Sequence, residues 1–160
     1  MSVKNSFNIR NTTIHDIPEI QAILDRISSD WSSSILKDCF QDHYFQWVIC
    51  RGEVILGFAV VKNNLDLWEI MQIMIDQNEQ RQGLATQLLQ FVITQAKKWG
   101  TTKLQLEVRQ SNTPAIRLYQ KNGFQKVGLR KKYYADHEDA VLMDCNITLA
   151  SGISNLLIRF

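Results

Sequence analysis

A chain of 160 residues is one domain's worth of polypeptide, long enough to bury a core without disulfide or metal staples. Its net charge of +2 is too small to demand a nucleic-acid partner, and no run approaches the roughly 20 apolar residues that a membrane span needs. Cys39, Cys50 and Cys145 show neither Cys-x-x-Cys nor Cys/His ligand spacing, so they are expected as reduced core thiols with no metal site. With no apolar leader after Met1 and no repeat or linker, the expectation is a soluble cytoplasmic protein of one domain, 1–147, followed by an apolar tail, 148–160.

The chain opens on a short strand, Phe7 to Arg10, and a capping segment from Thr12 to Asp16. A helix follows that carries Ile17, Ile20, Leu24 and Ile27 on one face, with Pro18 in its first turn. A second, Ser-started helix carries Ile35, Leu36, Cys39 and Phe40, and His15 and His43 read as cap, surface or core residues. Three strands come next: Phe45 to Cys50, Val54 to Val61 and Leu67 to Ile75, linked by Arg51-Gly52-Glu53 and by a turn at Asn63-Asn64, which predicts an antiparallel meander. Strict alternation on the third strand places Leu67, Glu69, Met71, Ile73 and Ile75 on one face and Trp68, Ile70, Gln72 and Met74 on the other. Both faces are largely apolar, so that strand is expected to be central and covered on both sides.

From Gly83 to Trp99 the residues Leu84, Leu88, Leu89, Val92, Ile93, Ala96 and Trp99 recur at helical spacing, and Gly100 stands where a C-cap belongs. Lys103 to Arg109 alternates as a strand, which completes a strand-helix-strand unit with parallel strands. Asn112 or Thr113 caps a short helix with Pro114 in its first turn, and Asn122-Gly123 ends it. Phe124 to Gly128 and Ala140 to Ile147 are the last strands, separated by the basic run Arg130 to Lys132, which reads as a solvated edge or as a contact for an acidic partner.

The junction from Ile73 to Thr86 organises the rest. An apolar strand runs through a polar turn to Gly83 and the first turn of the long helix, whose N–H groups lack internal partners and lie at the positive end of the helix dipole. Such a junction suits a phosphate or pyrophosphate and equally serves as an ordinary strand-to-helix turn. Ligands of open α/β sheets bind beyond the carboxyl ends of the strands, so Gly83 and the segment Glu107 to Arg109 converge on one region.

These residues resemble the GCN5-related N-acetyltransferases (GNAT), through Gln80-Arg81-Gln82-Gly83-Leu84-Ala85 and the later Asn112, Leu118-Tyr119 and Asn122-Gly123-Phe124. Leu106-Glu107-Val108-Arg109, Ser111-Asn112, Ala115-Ile116, Arg130, Tyr133-Tyr134 and Glu138-Asp139-Ala140 with Met143 look more narrowly like the RimI-type enzymes, which acetylate the N-terminal alanine of a small-subunit ribosomal protein. The resemblance implies an α/β (α+β) GNAT fold: a central mixed, mostly antiparallel twisted sheet with helices on both faces and a βαβ acetyl-CoA site. It further implies that acetyl-CoA is held by Ile73, Met74, Ile75, Arg81, Gln82, Gly83, Leu84, Ala85 and Thr86, with Asn112 assisting. Glu107 matches the general base, Tyr119 the general acid, and Tyr134 the acceptor side. Ala85 stands where relatives commonly have a second loop glycine, and Thr148 to Phe160 lies outside the resemblance.

Acetyl transfer needs a neutral amine, a polarised thioester and a proton for the departing thiolate. An α-amine with a reference pKa of about 7.7–8.0 needs only modest help from a carboxylate such as Glu107. Read without the resemblance, Glu107 is a strand carboxylate paired with Arg109 or facing solvent, and Tyr119 is a core phenol. Trp31, Tyr44, Tyr133 and Tyr134 stand in or beside loops as candidate walls of a peptide slot. The expected acceptor is a protein N-terminus, possibly a ribosomal protein's. The alternatives are a small amine, polyamine or antibiotic, or a non-catalytic module that binds acyl-CoA.

Overall fold

In the computed structural model, which describes residues 6–27 and 29–147, seven strands form one sheet in the order β1-β2-β3-β4-β5-β7-β6. They are β1 (Asn8–Asn11), β2 (Tyr44–Arg51), β3 (Val54–Asn64), β4 (Leu67–Ile75), β5 (Lys103–Arg109), β6 (Gln125–Arg130) and β7 (Ala140–Asn146). Four α-helices pack on it: α1 (Ile17–Ile27), α2 (Ser33–Asp38), α3 (Leu84–Trp99) and α4 (Thr113–Lys121). Only β4 and β5 pair in parallel, as a strand-helix-strand crossover requires, and the remaining neighbours are antiparallel. The proposed tail, 148–160, lies outside the described residues.

The sheet separates two cores, which explains why β2, β3 and β4 are apolar on both faces. Ile20, Ile23 and Leu24 of α1 and Leu36 of α2 meet Val48, Cys50, Phe58 and Val60 on one side. On the other, Leu84, Leu88, Leu89, Val92 and Ala96 of α3 join Trp47, Trp68, Ile70, Leu104 and Leu106, with Tyr119 and Phe124 closing the end. At about 1.5–3 kcal/mol for each large apolar side chain fully buried, these layers supply most of the force that keeps the sheet covered.

One expectation about β4 meets a correction. Strict alternation does not hold: Val60 pairs with Gln72 but Val61 pairs with Ile70, so Met71 is an extra residue, a β-bulge. The bulge resets the alternation, and Ile73 and Ile75 join the core of Trp68 and Ile70, whereas Met74 packs on the α1 side. The β4–β5 ladder runs only from Leu67↔Lys103 to Ile70↔Leu106, so the two parallel strands part after Ile70.

Other boundaries move slightly. α2 ends at Asp38, leaving Cys39 as its C-cap; β3 continues to Asn64; and β6 runs from Gln125 to Arg130, which takes Arg130 out of the solvated run and onto a strand end. At the far end of β4, Gly57 admits a close approach: a Cβ there would stand 2.5 Å from the carbonyl oxygen of Met74 and 2.5 Å from Cδ1 of Ile75. Gly57→Ala is therefore expected to cost about 1–3 kcal/mol in urea unfolding, since the clash includes backbone. An unchanged midpoint would show that the end of β4 gives way freely.

Candidate active site

The loop after β4 is braced before it reaches α3. Asp76, 7% exposed, accepts from the N–H of Asn78 at 3.0 Å and forms an ion pair with Arg26 of α1. Arg51, the last residue of β2, donates to both carboxylate oxygens of Glu79 at 3.3 and 3.0 Å, and the Gln82 amide donates to Glu79 at 2.9 Å. Arg81 and Gly83 follow in the left-handed region, at φ 66° and 76°. Gly83 is the N-cap of α3 and supplies no side-chain cap.

Among the described residues, no backbone oxygen receives the N–H groups of residues 81–86; the first helical bond is from Gln87 to the Gly83 carbonyl at 3.1 Å. This leaves several donors aimed outward at the positive end of a 16-residue helix. Leu84 is buried and Ala85 packs on the core, so those two residues offer the site their backbone only. The loop adjoins the opening between β4 and β5, where Met71 to Ile75 and Glu107 to Arg109 lack ladder partners across the gap. Ile73, Met74 and Ile75 keep their pairing with Ala59, Phe58 and Gly57 on the other side, so the edge facing the opening is rigid.

Glu107 stands on β5 beside this opening. It is not paired with Arg109. Arg130, at the end of β6, approaches it instead, with Nε 3.0 Å from Oε1 of Glu107. The hydrogen bond from Tyr133 to Glu107 pushes the Tyr133 phenol up from its ordinary pKa, with burial adding to it. Tyr134 is also raised, chiefly by burial, and feels the charges of Arg109 and Glu107.

Tyr119 is buried on α4, its ring centroid 5.6 Å from that of Phe124. Burial, with a smaller contribution from Tyr134, pushes its pKa up to about 12. The phenol therefore stays protonated through neutral and mildly alkaline pH. The Tyr134 ring lies against the Arg109 guanidinium, 4.0 Å from its central carbon, at the end of β5. Asn112 is engaged in the fold itself as the N-cap of α4. Its Oδ1 accepts from the Ala115 N–H at 3.3 Å, and only its amide NH2 remains for another partner.

Sequence reasoning missed three parts of this region: the Arg26–Asp76 and Arg51–Glu79 braces, the Arg130–Glu107 pair, and a cluster of acidic partners around Arg109. Partners separated by 23 to 79 positions leave no local periodicity to find. Trp31 and Tyr44 are partly buried and pack against the core beneath α1 and α2. Among the described residues no helix is long and apolar enough to cross a membrane, and no cluster of His, Cys, Asp or Glu has metal-site geometry.

A seven-stranded sheet opened between its two parallel strands, with a donor-rich helix start at the opening, is the architecture of an acyl-CoA-dependent acetyltransferase. The sequence profile described as "Acetyltransferase (GNAT) family" matches residues 12–124, and the chain belongs to that family of enzymes. It is 32% identical over 149 residues to the [ribosomal protein bS18]-alanine N-acetyltransferase of Escherichia coli K12, covering 91% of this chain and 99% of that one. Over 145 residues it is 30% identical to a putative enzyme of the same name from Bacillus subtilis, covering 88% and 96%. The crystal structure of the Escherichia coli ribosomal-protein-S18-alanine N-acetyltransferase superposes with a TM-score of 0.85 at 30% identity, over 97% of this chain and 100% of that one. Arabidopsis thaliana NAA60 in complex with acetyl-CoA shares the fold, with a TM-score of 0.81 at 19% identity over 89% and 99%.

At Gly83 an added Cβ meets nothing within 4 Å, so Gly83→Ala is expected to cost only the left-handed strain, about 1–2 kcal/mol in thermal or urea unfolding. A larger loss would reveal packing at this turn that the structure lacks.

Proposed function

We propose that this protein transfers an acetyl group from acetyl-CoA to the α-amine of a protein N-terminus, with the N-terminal alanine of a ribosomal protein as the acceptor. The observation that carries the reading is the opening between β4 and β5, where the N–H groups of residues 81–86, without backbone acceptors, adjoin the unpaired end of the strand that carries Glu107. The relatives named for alanine acetylation span nearly the whole chain, which supports a peptide acceptor over a small amine.

Acetyl-CoA supplies an acyl carbon already activated as a thioester. The residues present fit it: the N–H groups of Arg81, Gln82, Gly83, Leu84, Ala85 and Thr86 suit a pyrophosphate, and the free edge at Ile73, Met74 and Ile75 suits amides that add to a strand. Asn112 would assist through its free amide. Glu107 takes the proton that the amine must lose, directly or through water, so that the neutral nitrogen attacks the thioester carbon, and Arg130 pairs with that carboxylate at 3.0 Å. Tyr119, as the general acid, hydrogen-bonds the departing sulfur; with its pKa pushed up to about 12 it stabilises the thiolate as the C–S bond breaks, and the proton that completes the free thiol is the one the amine releases. Tyr134 lines the acceptor side.

The small-amine reading is separated by a panel of peptides, polyamines and aminoglycosides, on which peptides starting with alanine should turn over fastest. A silent acyl-CoA-binding module would bind acetyl-CoA and transfer to none of them. With alanine peptides, Glu107→Gln and Tyr119→Phe should each lower kcat/KM on the order of 10²-fold or more, measured by thiol release. Near-normal turnover in both would remove the assigned roles. Because the Tyr119 pKa is raised, kcat/KM should rise as the α-amine loses its proton and show no falling limb from this phenol up to about pH 10. A descending limb near pH 9 that disappears in Tyr119→Phe would contradict the placement of Tyr119 in a buried site.

A further inference from the structure

Arg109 ends β5 two residues beyond Glu107, yet it turns away from that carboxylate. Its Nη1 donates to both oxygens of Asp136, at 3.1 and 2.9 Å, and to Glu138 at 3.0 Å; its Nη2 donates to Asp30 at 3.1 Å. The guanidinium carbon lies 4.0 Å from the centroid of the Tyr134 ring. These partners come from two segments that no ladder joins: Asp30 precedes α2, and Tyr134, Asp136 and Glu138 belong to the connection between β6 and β7.

We propose that Arg109 is a positioning residue of the acceptor side, a clamp that closes the segment before α2 and the β6–β7 connection over the end of β5 and so fixes Tyr134 at the strand end, two residues along from Glu107. The proposal rests on the acetyltransferase reading given above. The β6–β7 connection is already a folded turn when Arg109 grips it. The Tyr134 N–H donates to the Glu138 carbonyl at 3.2 Å, the His137 N–H to the Tyr134 carbonyl at 2.8 Å, and the Ser111 N–H to the Glu138 carboxylate at 2.8 Å.

An ordinary surface ion pair contributes little, and Asp30 and Asp136, with side chains 73% and 61% exposed, would each be such a pair alone. One half-buried guanidinium serving three carboxylates and an aromatic face is different. Its planar fork orders once and every partner shares that ordering. A lysine at the same place carries the charge and lacks the fork, so it cannot hold both segments together.

The test compares Arg109→Met, Arg109→Lys and Asp30→Asn with the unaltered protein in three measurements. Arg109→Met should raise KM for an alanine-starting peptide about tenfold or more, while the acetyl-CoA dissociation constant from calorimetry stays within about twofold. Amide hydrogen exchange should quicken together in residues 30–32 and 134–138 and stay unchanged in residues 84–99. Arg109→Lys should recover only part of the loss, and Asp30→Asn should loosen residues 30–32 with a smaller rise in peptide KM.

Unchanged peptide KM and unchanged exchange in both segments would overturn the clamp, as would an equal weakening of acetyl-CoA binding. If Arg109→Met fails to fold, the exposed Asp30→Asn and the charge-preserving Arg109→Lys decide by the same readouts. If the unaltered protein acetylates no peptide or amine, the acetyltransferase reading fails on its own, and concerted exchange in the two segments still judges whether Arg109 clamps them.

Discussion

The constraint on which the rest depends is the brevity of the parallel ladder between β4 and β5. The two strands pair over four positions and then part, although both continue and both stay paired on their outer sides. Parallel pairing needs a crossover, and α3 supplies it, so the helix start with its unsatisfied N–H groups necessarily falls at the carboxyl end of β4. The bulge at Met71 bends β4 where the ladder ends, and Gly57 lets β3 follow that end closely. An opening lined by backbone groups is thus a product of topology, and the outer antiparallel pairings hold it open.

Charge is distributed around this opening with a division of labour. Arg130 pairs with Glu107, whereas Arg109 engages Asp30, Asp136 and Glu138. A swap of these pairings would put a fixed, multiply bonded guanidinium on Glu107. Tyr119 is at the other extreme: its deep burial costs solvation, and that same burial pushes the phenol's pKa up. The cofactor side is braced separately, by Arg26–Asp76 and Arg51–Glu79, so its loop does not rely on the acceptor side for its shape.

What could be read early was whatever repeats locally. The helix from Leu84 to Trp99 with Gly100 after it, the strand Lys103–Arg109, and the Asn112 cap all stand where periodicity and capping chemistry put them. The β2–β3–β4 meander follows from short polar links. The faces of β4 did not, because one inserted residue at Met71 inverts every side chain after it, and a bulge needs a partner strand to exist. Adjacency along the strand offered only Arg109 or solvent as neighbours of Glu107, while its partner in the structure, Arg130, is 23 positions away on another strand.

The sequence alone therefore determined the elements, their order, the crossover, and the residue types able to do acyl transfer, because helix and strand periods and turn chemistry are written over a few neighbouring positions. Only the tertiary structure decided where the parallel strands part, which way Ile73, Met74 and Ile75 point, which arginine serves the base, and that Tyr119 is buried deeply enough to hold its proton. These depend on distances between segments far apart in the chain, and such distances are set by the packing of the whole sheet.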